Sequence, residues 1–265
     1  MPSELLTERR GTTLVLTISD PATRNTLSAQ VIAAAIEALG VAESDPEVRC
    51  VVLQGAGGHF CAGGDLDAMA VVPPAPANGG PDPLVAAYRQ FGDALMSLNS
   101  LPQATVAIVE GSAVGGGVGM ACCSDVVILH DSARFGMPEP KVGFIPSQII
   151  PFVVRQIGEG PARDLAVTGR VIDAAEARRL GIGSHLCAGT ADINRTLRAV
   201  LDDILRLEPQ AVATVKRLVL GCATSEDGAV LDDAAESLVG LLRRPQASEG
   251  IKAFMAKTAP SWAKE

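Results

Sequence analysis

Two glycine-rich turns constrain this chain more than any other feature. The first is Phe60-Cys61-Ala62-Gly63-Gly64-Asp65 and the second is Gly111-Ser112-Ala113-Val114-Gly115-Gly116-Gly117. Each closely follows an apolar run that reads as a buried strand, and each precedes a segment able to turn helical. Glycine has no Cβ, so at such turns the backbone itself can approach a ligand. Two turns of this kind can bring two backbone N–H groups to one point, which suits a developing oxyanion. The plain alternative is that the glycines only make tight turns. Their repetition after two separate apolar strands favours a site.

The 265 residues suffice for one large domain or for one domain with an appendage. Hydrophobic residues make up 48% but aromatics only 3%, so Val, Ile, Leu and Ala must fill the core. A net charge of −8 argues against nucleic acid or an anionic membrane as partner. An anionic ligand would need local basic residues. The cysteines Cys50, Cys61, Cys122, Cys123, Cys187 and Cys222 form no C-x-x-C pair, and no His spacing completes a zinc site, so no metal is expected. Most lie in apolar runs, as reduced, buried thiols do. Met1 to Arg10 lacks a signal-peptide core, and no apolar run is long enough to span a bilayer. The expected location is the cytoplasm.

Along the chain, Thr12 to Ile18 reads as a strand, and Ser28 as the N-cap of a helix through Ala42. Arg49 to Leu53 and Ala104 to Val109 are strands leading into the two glycine turns. Between them, prolines 73, 74, 76, 81 and 83 surround Asn78-Gly79-Gly80, which reads as a mobile surface loop. Leu84, Tyr88, Phe91, Leu95 and Leu98 then follow at helical spacing. Gly115 opens a helix through Cys122, and Asp125 to Leu129 is another strand. This alternation signals an α/β fold. From residue 147 the chain is mostly helical. Segments Ala174 to Leu180, Ala191 to Leu207, Glu208 to Leu220 and Glu226 to Leu242 all read as helices. The last has Val230, Leu231, Ala234, Leu238 and Leu241 on one face and Ser225 as its expected N-cap.

Other site types fit poorly. The Rossmann fingerprint G-x-G-x-x-G/A fails, because the closing position is Met120 or Cys122. No P-loop motif and no G-x-S-x-G elbow occurs. His59 lies beside the first glycine turn, where it reads as a turn residue rather than part of a triad.

The ordered set resembles the enoyl-CoA hydratase/isomerase family, the crotonase fold. The carrying residues run from Pro21-Ala22-Thr23-Arg24-Asn25 through Phe60 to Leu66, Glu110 to Gly117 and Ala121 to Asp125. They continue with Ala133-Arg134-Phe135-Gly136-Met137-Pro138-Glu139 and Gly143-Phe144-Ile145-Pro146, and the tail Gly250 to Trp262 also fits. The resemblance implies a crotonase-like spiral of β-β-α turns over residues 1–195, carrying the coenzyme A ester site. It implies a helical C-terminal trimerisation region at 196–265, giving a homotrimer or a dimer of trimers. It places the oxyanion donors on the N–H groups of Gly64 and Gly116. It places coenzyme A, as part of the thioester substrate and with no further cofactor, across Ala22, Arg24, Ala62, Gly64, Asp65 and Leu66. Lys257 would reach a phosphate, from a neighbouring subunit if the geometry requires it. Arg24 and Lys257 read equally well as solvated charges.

Two-glutamate hydratases of this family carry their first acid where this chain has Gly119, and their second at Glu139. One carboxylate is therefore absent and one is kept. A partly buried Glu139 would have a raised pKa suited to proton transfer near neutral pH. Ser147 replaces a customary glycine beside the acyl site. The segment Gly143 to Arg155 resembles family members acting on branched glutaconyl-type esters. The expectation is a lyase adding water to a 2-enoyl-CoA thioester. A Δ3-Δ2-enoyl-CoA isomerase and a non-catalytic coenzyme A ester binder remain the alternatives.

Overall fold

The computed structural model describes residues 3–76 and 80–263, so Asn78 and Gly79 of the proline-rich loop lie outside the described residues. Strands β1 (Glu4–Arg10) and β2 (Thr13–Ser19) form an antiparallel pair, with Glu4 opposite Ser19 and Arg10 opposite Thr13. The polar segment Met1 to Arg10, in which no strand is expected from the sequence, contributes β1. It is an edge strand with a wet outer face, where charges such as Glu8 and Arg10 are tolerated and discourage the addition of a foreign strand. Helix α1 (Ala29–Ser44) starts as expected at Ser28, whose side chain accepts a bond from Val31 N at 3.2 Å.

Next come β3 (Cys50–Gly55), α2 (Leu66–Met69), α3 (Pro83–Ser100), β4 (Ala104–Val109), β5 (Ser112–Val114), α4 (Gly116–Cys122), β6 (Val126–His130) and β7 (Arg134–Gly136). A 3-10 turn at Glu139–Val142 follows. The rest comprises α5 (Ile150–Ile157), α6 (Glu159–Thr168), β8 (Val171–Asp173), α7 (Ala174–Leu180), β9 (His185–Cys187), α8 (Thr190–Leu205), α9 (Pro209–Gly221), α10 (Asp227–Leu242) and α11 (Pro245–Ala256).

The large sheet has the order β1-β2-β3-β4-β6-β9 and is parallel from β2 onward. Its central strands are covered on both faces, which is why β4 reads as an unbroken apolar run and all six of its residues are buried. One face packs on α1, α3, α4 and α5. The other carries Val15, Val52, Val106 and Ile128 against Leu197, Leu201 and Ile204 of α8.

A second line of short strands lies beside the first. Its sheet is β5-β7-β8, and the isolated bridges Leu27 to Gly64 and Cys61 to Ala113 continue it. Strands β2, β3, β4 and β6 are each followed by a short strand or bridge in the second layer and then by a helical segment. The chain winds as the expected coil, and the coil sets successive βα turns side by side. That is how residues 61–64 come to lie against residues 113–115.

The C-terminal helices are tied down by polar links. Lys216 Nζ on α9 donates to Asp125 Oδ2 at 2.8 Å, and the same oxygen accepts from Thr105 N at 2.8 Å and Thr105 Oγ1 at 2.9 Å. Asp125→Ala would leave the buried Thr105 donors without this acceptor and the Lys216 ammonium with only its bond to Gln103 O at 3.2 Å. The expected cost is about 2 kcal/mol of stability, read as a lower urea midpoint at unchanged slope. An unmoved midpoint would show that this link carries nothing.

Ser225 does not cap α10. Its N–H still donates to Gly221 O in the last turn of α9, so the helix begins one residue later with Glu226 at the N-cap and no side-chain capping bond. No residue of α9 or α10 is fully buried, and Val215, Val219, Leu231 and Leu238 are exposed. Among the described residues, no helix is long and apolar enough to cross a membrane.

Candidate active site

The two glycine turns meet through backbone bonds. Cys61 N donates to Ser112 O at 2.8 Å and Val114 N donates to Cys61 O at 2.9 Å. Gly63 and Gly115 both have positive φ, 93° and 52°. The space around them is as demanding as the dihedrals. A Cβ at Gly115 would lie 2.5 Å from Glu139 Oε1 and 3.9 Å from Gly63 Cα, and one at Gly117 would lie 2.8 Å from Cys61 O. These glycines are needed because backbone and carboxylate crowd there. Gly63, Gly115 and Glu139, far apart in sequence, occupy one place.

The N–H groups of Gly64 and Gly116 have no acceptor within the protein among the described residues. Gly116 is the first residue of α4, so its N–H has no partner inside the helix, and the helix dipole favours negative charge there. The side chains against these positions are apolar. Met69 Sδ lies 2.9 Å from the Cβ point of Gly64, and Leu27 Cδ1 and Phe91 Cζ lie 2.5 and 3.0 Å from that of Gly116.

Glu139 opens the 3-10 turn that follows β7. Phe135 and Met137, each 1% exposed, anchor the segment in the core, while Pro138 and Pro140 stiffen it. Glu139 Oε2 is buried with no hydrogen-bond partner among the described residues. Burial pushes the carboxyl above its ordinary range, and the residue's own backbone N–H opposes this more weakly.

At Gly119 there is no room for a second acid. A Cβ there would overlap Ile149 Cγ2 and lie 2.9 Å from Ile149 Cβ and 3.4 Å from Leu95 Cδ1. The hollow is apolar on that side, and the carboxylate against the glycines is Glu139.

Ala22 and Arg24 sit on an exposed turn, and Ala62 and Asp65 are half-buried in the first glycine turn. The structure joins these two segments: Leu27 N donates to Gly63 O at 2.8 Å. Asp65 caps α2, accepting from Ala68 N at 3.1 Å, and Leu66 is exposed. Lys257 belongs to another part of the fold. It ends α11, which packs on α10.

The sequence reading assigned no role to Asn25. This residue is fully buried at φ 65° and knits the two segments together. Its Oδ1 accepts from Asp20 N at 2.8 Å, while its Nδ2 donates to Ala56 O at 2.8 Å and His59 O at 2.6 Å. Asparagine tolerates the left-handed region, so Arg24-Asn25 after Pro21 was the available signal. His59 is a turn residue, with Nδ1 accepting from Ser112 N at 3.2 Å. Cys61 and Cys122 are buried thiols, each pushed up to about 12 by burial, and are not poised as nucleophiles. Among the described residues, no group of three or more His, Cys, Asp or Glu is placed to hold a metal ion.

With this coil and these turns, the chain belongs to the enoyl-CoA hydratase/isomerase family, whose model matches residues 8–265. It is 33% identical over 264 residues to the enoyl-CoA hydratase EchA19 of Mycobacterium tuberculosis, covering 98% of this chain and 96% of that one. Among solved structures, an enoyl-CoA hydratase/isomerase from Marinobacter aquaeolei superposes with a TM-score of 0.94 at 41% identity, over 98% of this chain and 99% of that one. AtuE of Pseudomonas aeruginosa gives a TM-score of 0.92 at 40% identity, with the same coverage.

Proposed function

We propose that this protein is an acyl-CoA lyase that adds water across the double bond of a 2-enoyl-CoA thioester, with a branched glutaconyl-type ester as its substrate. The observation that carries the reading is the position of Glu139, whose Oε1 lies against Gly115 and whose Oε2 is buried without a partner. A carboxylate so placed, beside two glycine turns with unused N–H groups, can move a proton in an apolar hollow.

In this mechanism the N–H groups of Gly64 and Gly116 bind the thioester oxygen. Ionised Glu139 accepts a proton from water as the water oxygen bonds to Cβ. The alkene π pair moves toward Cα and the thioester oxygen takes up enolate charge. Protonated Glu139 then gives its proton to Cα, so one molecule of water is added and the carboxylate is regenerated. One acid–base group suffices because both proton transfers occur on the face that Glu139 occupies. Coenzyme A enters as part of the substrate, along Ala22, Arg24, Ala62, Asp65 and Leu66, with Lys257 reaching a phosphate from a neighbouring copy of the chain, since within one chain it lies in another part of the fold. The uncovered apolar residues of α9 and α10 support assembly as a homotrimer or a dimer of trimers through the C-terminal helices.

The rival reaction is double-bond migration, which needs only the enolate and one carboxylate. Incubation in 18O-labelled water separates the two. A 2-enoyl-CoA should give a 3-hydroxyacyl-CoA carrying the label. Conversion of a 3-enoyl-CoA to the 2-isomer with no label incorporated would sink the hydratase reading.

A further inference from the structure

Gly92 lies inside α3, where glycine is a poor helix former. The reason is local. A Cβ there would overlap Gln148 Oε1 and lie 2.7 Å from Arg89 Nη1. An amide and a guanidinium therefore share one small space over the helix backbone, and that space adjoins the candidate site on two sides. Phe91, next to Gly92, lies 3.0 Å from the Cβ point of Gly116, while Ile149, next to Gln148, fills the Cβ point of Gly119.

Arg89 pairs at present with Asp93, one turn along the same helix, at 2.6 Å. Both side chains are about half exposed, 48% and 55%. An exposed pair of this kind is weakly held. It can exchange for a carboxylate that the rest of a bound ligand holds in place. The side chains against Gly64, Gly116 and Gly119 are apolar, while Arg89 and Gln148 bring polar groups to Gly92, the neighbour of Phe91.

We infer that Arg89 and Gln148 form the recognition pair for a second carboxylate, at the acyl end of the substrate. The guanidinium presents paired N–H groups in a fork that matches a carboxylate. Gln148 can keep its oxygen toward Arg89 and offer its NH2 group to the same ligand. The substrate class is then an enoyl-CoA whose acyl chain ends or branches in a carboxylate. This rests on the acyl-CoA reading above, but it concerns binding rather than the reaction.

The test uses ligands that cannot react. Calorimetric titration compares glutaryl-CoA, pentanoyl-CoA and free coenzyme A on the wild-type protein and on Arg89→Met and Gln148→Leu. The wild type should bind glutaryl-CoA about tenfold or more tightly than pentanoyl-CoA, as one charge-assisted pair supplies. Arg89→Met should bring that ratio close to one, with pentanoyl-CoA and free coenzyme A unchanged, and Gln148→Leu should lower it by a smaller factor. Arg89→Lys should keep part of the preference. Equal wild-type affinity for the two esters overturns the inference. So does an Arg89→Met loss shared by free coenzyme A, which would put the guanidinium on a coenzyme phosphate or in the fold. Hydration of a 2-enoyl-CoA is assayed separately. A chain that prefers glutaryl-CoA yet hydrates nothing would refute the lyase reading and leave the recognition pair standing.

Discussion

Glu139→Gln is expected to lower kcat by about 10²–10⁴-fold while leaving the fold intact. Glutamine matches glutamate in size, so Phe135 and Met137 keep the segment anchored and the approach to Gly115 is preserved. What disappears is the group proposed to take a proton from water and return it to Cα. Stability should not fall, and the sign follows from the raised pKa. A folded-state pKa above the unfolded value means that the folded chain holds the proton more tightly. Ionised Glu139 therefore costs stability at pH values above the folded pKa, and that cost vanishes below the unfolded one. Glutamine removes it, so the variant should gain slightly at neutral pH and lose the gain as pH falls through the raised value. The same shift sets the activity profile. The acid limb of kcat/KM in the wild type should lie above the ordinary carboxylate range, because the base must be ionised. Wild-type turnover in the variant, or an acid limb at the ordinary position, would remove Glu139 from the proposed role.

The sequence made some of this legible, for identifiable physical reasons. Ala104 to Val109 is a central parallel strand buried on both faces, so its apolar run announces it, and the observed bounds are the expected ones. Ser28 announces α1 because a hydroxyl N-cap is a local device. The strands β5, β7, β8 and β9 have three residues each, too few for a periodic pattern to show. Strand β1 is polar because only one of its edges is paired. Ser225 misled because its N–H was already committed to the preceding helix. At the site, the glycine turns were visible as turns, and Glu139 stood out only through the family resemblance. Its closeness to Gly115, the fit of Ile149 against Gly119 and the Arg89–Gly92–Gln148 cluster depend on which coil of the chain lies beside which. Local residue pattern carries no such information.

Gly119→Glu is expected to destabilise the chain by about 3 kcal/mol or more rather than supply a second acid. The glycine marks a filled space. Any Cβ at 119 overlaps Ile149 Cγ2 and crowds Leu95, while Val118, Met120 and Ala121 on either side are buried and hold α4 in place. Overpacking alone costs about 1–3 kcal/mol. A carboxylate pushed among Ile149 and Leu95 adds the penalty of a buried polar group without a partner. It would stay protonated and could not serve as a second base. Ile149→Ala removes the overlapping methyl group, so the double variant should recover part of the stability lost by Gly119→Glu. The readouts are urea unfolding midpoints for the single and double variants, with hydration rates on a 2-enoyl-CoA measured beside them. A Gly119→Glu chain as stable as the wild type and faster at hydration would show that the site has room for the missing acid. The one-carboxylate chemistry assigned to Glu139 would then lose its structural basis.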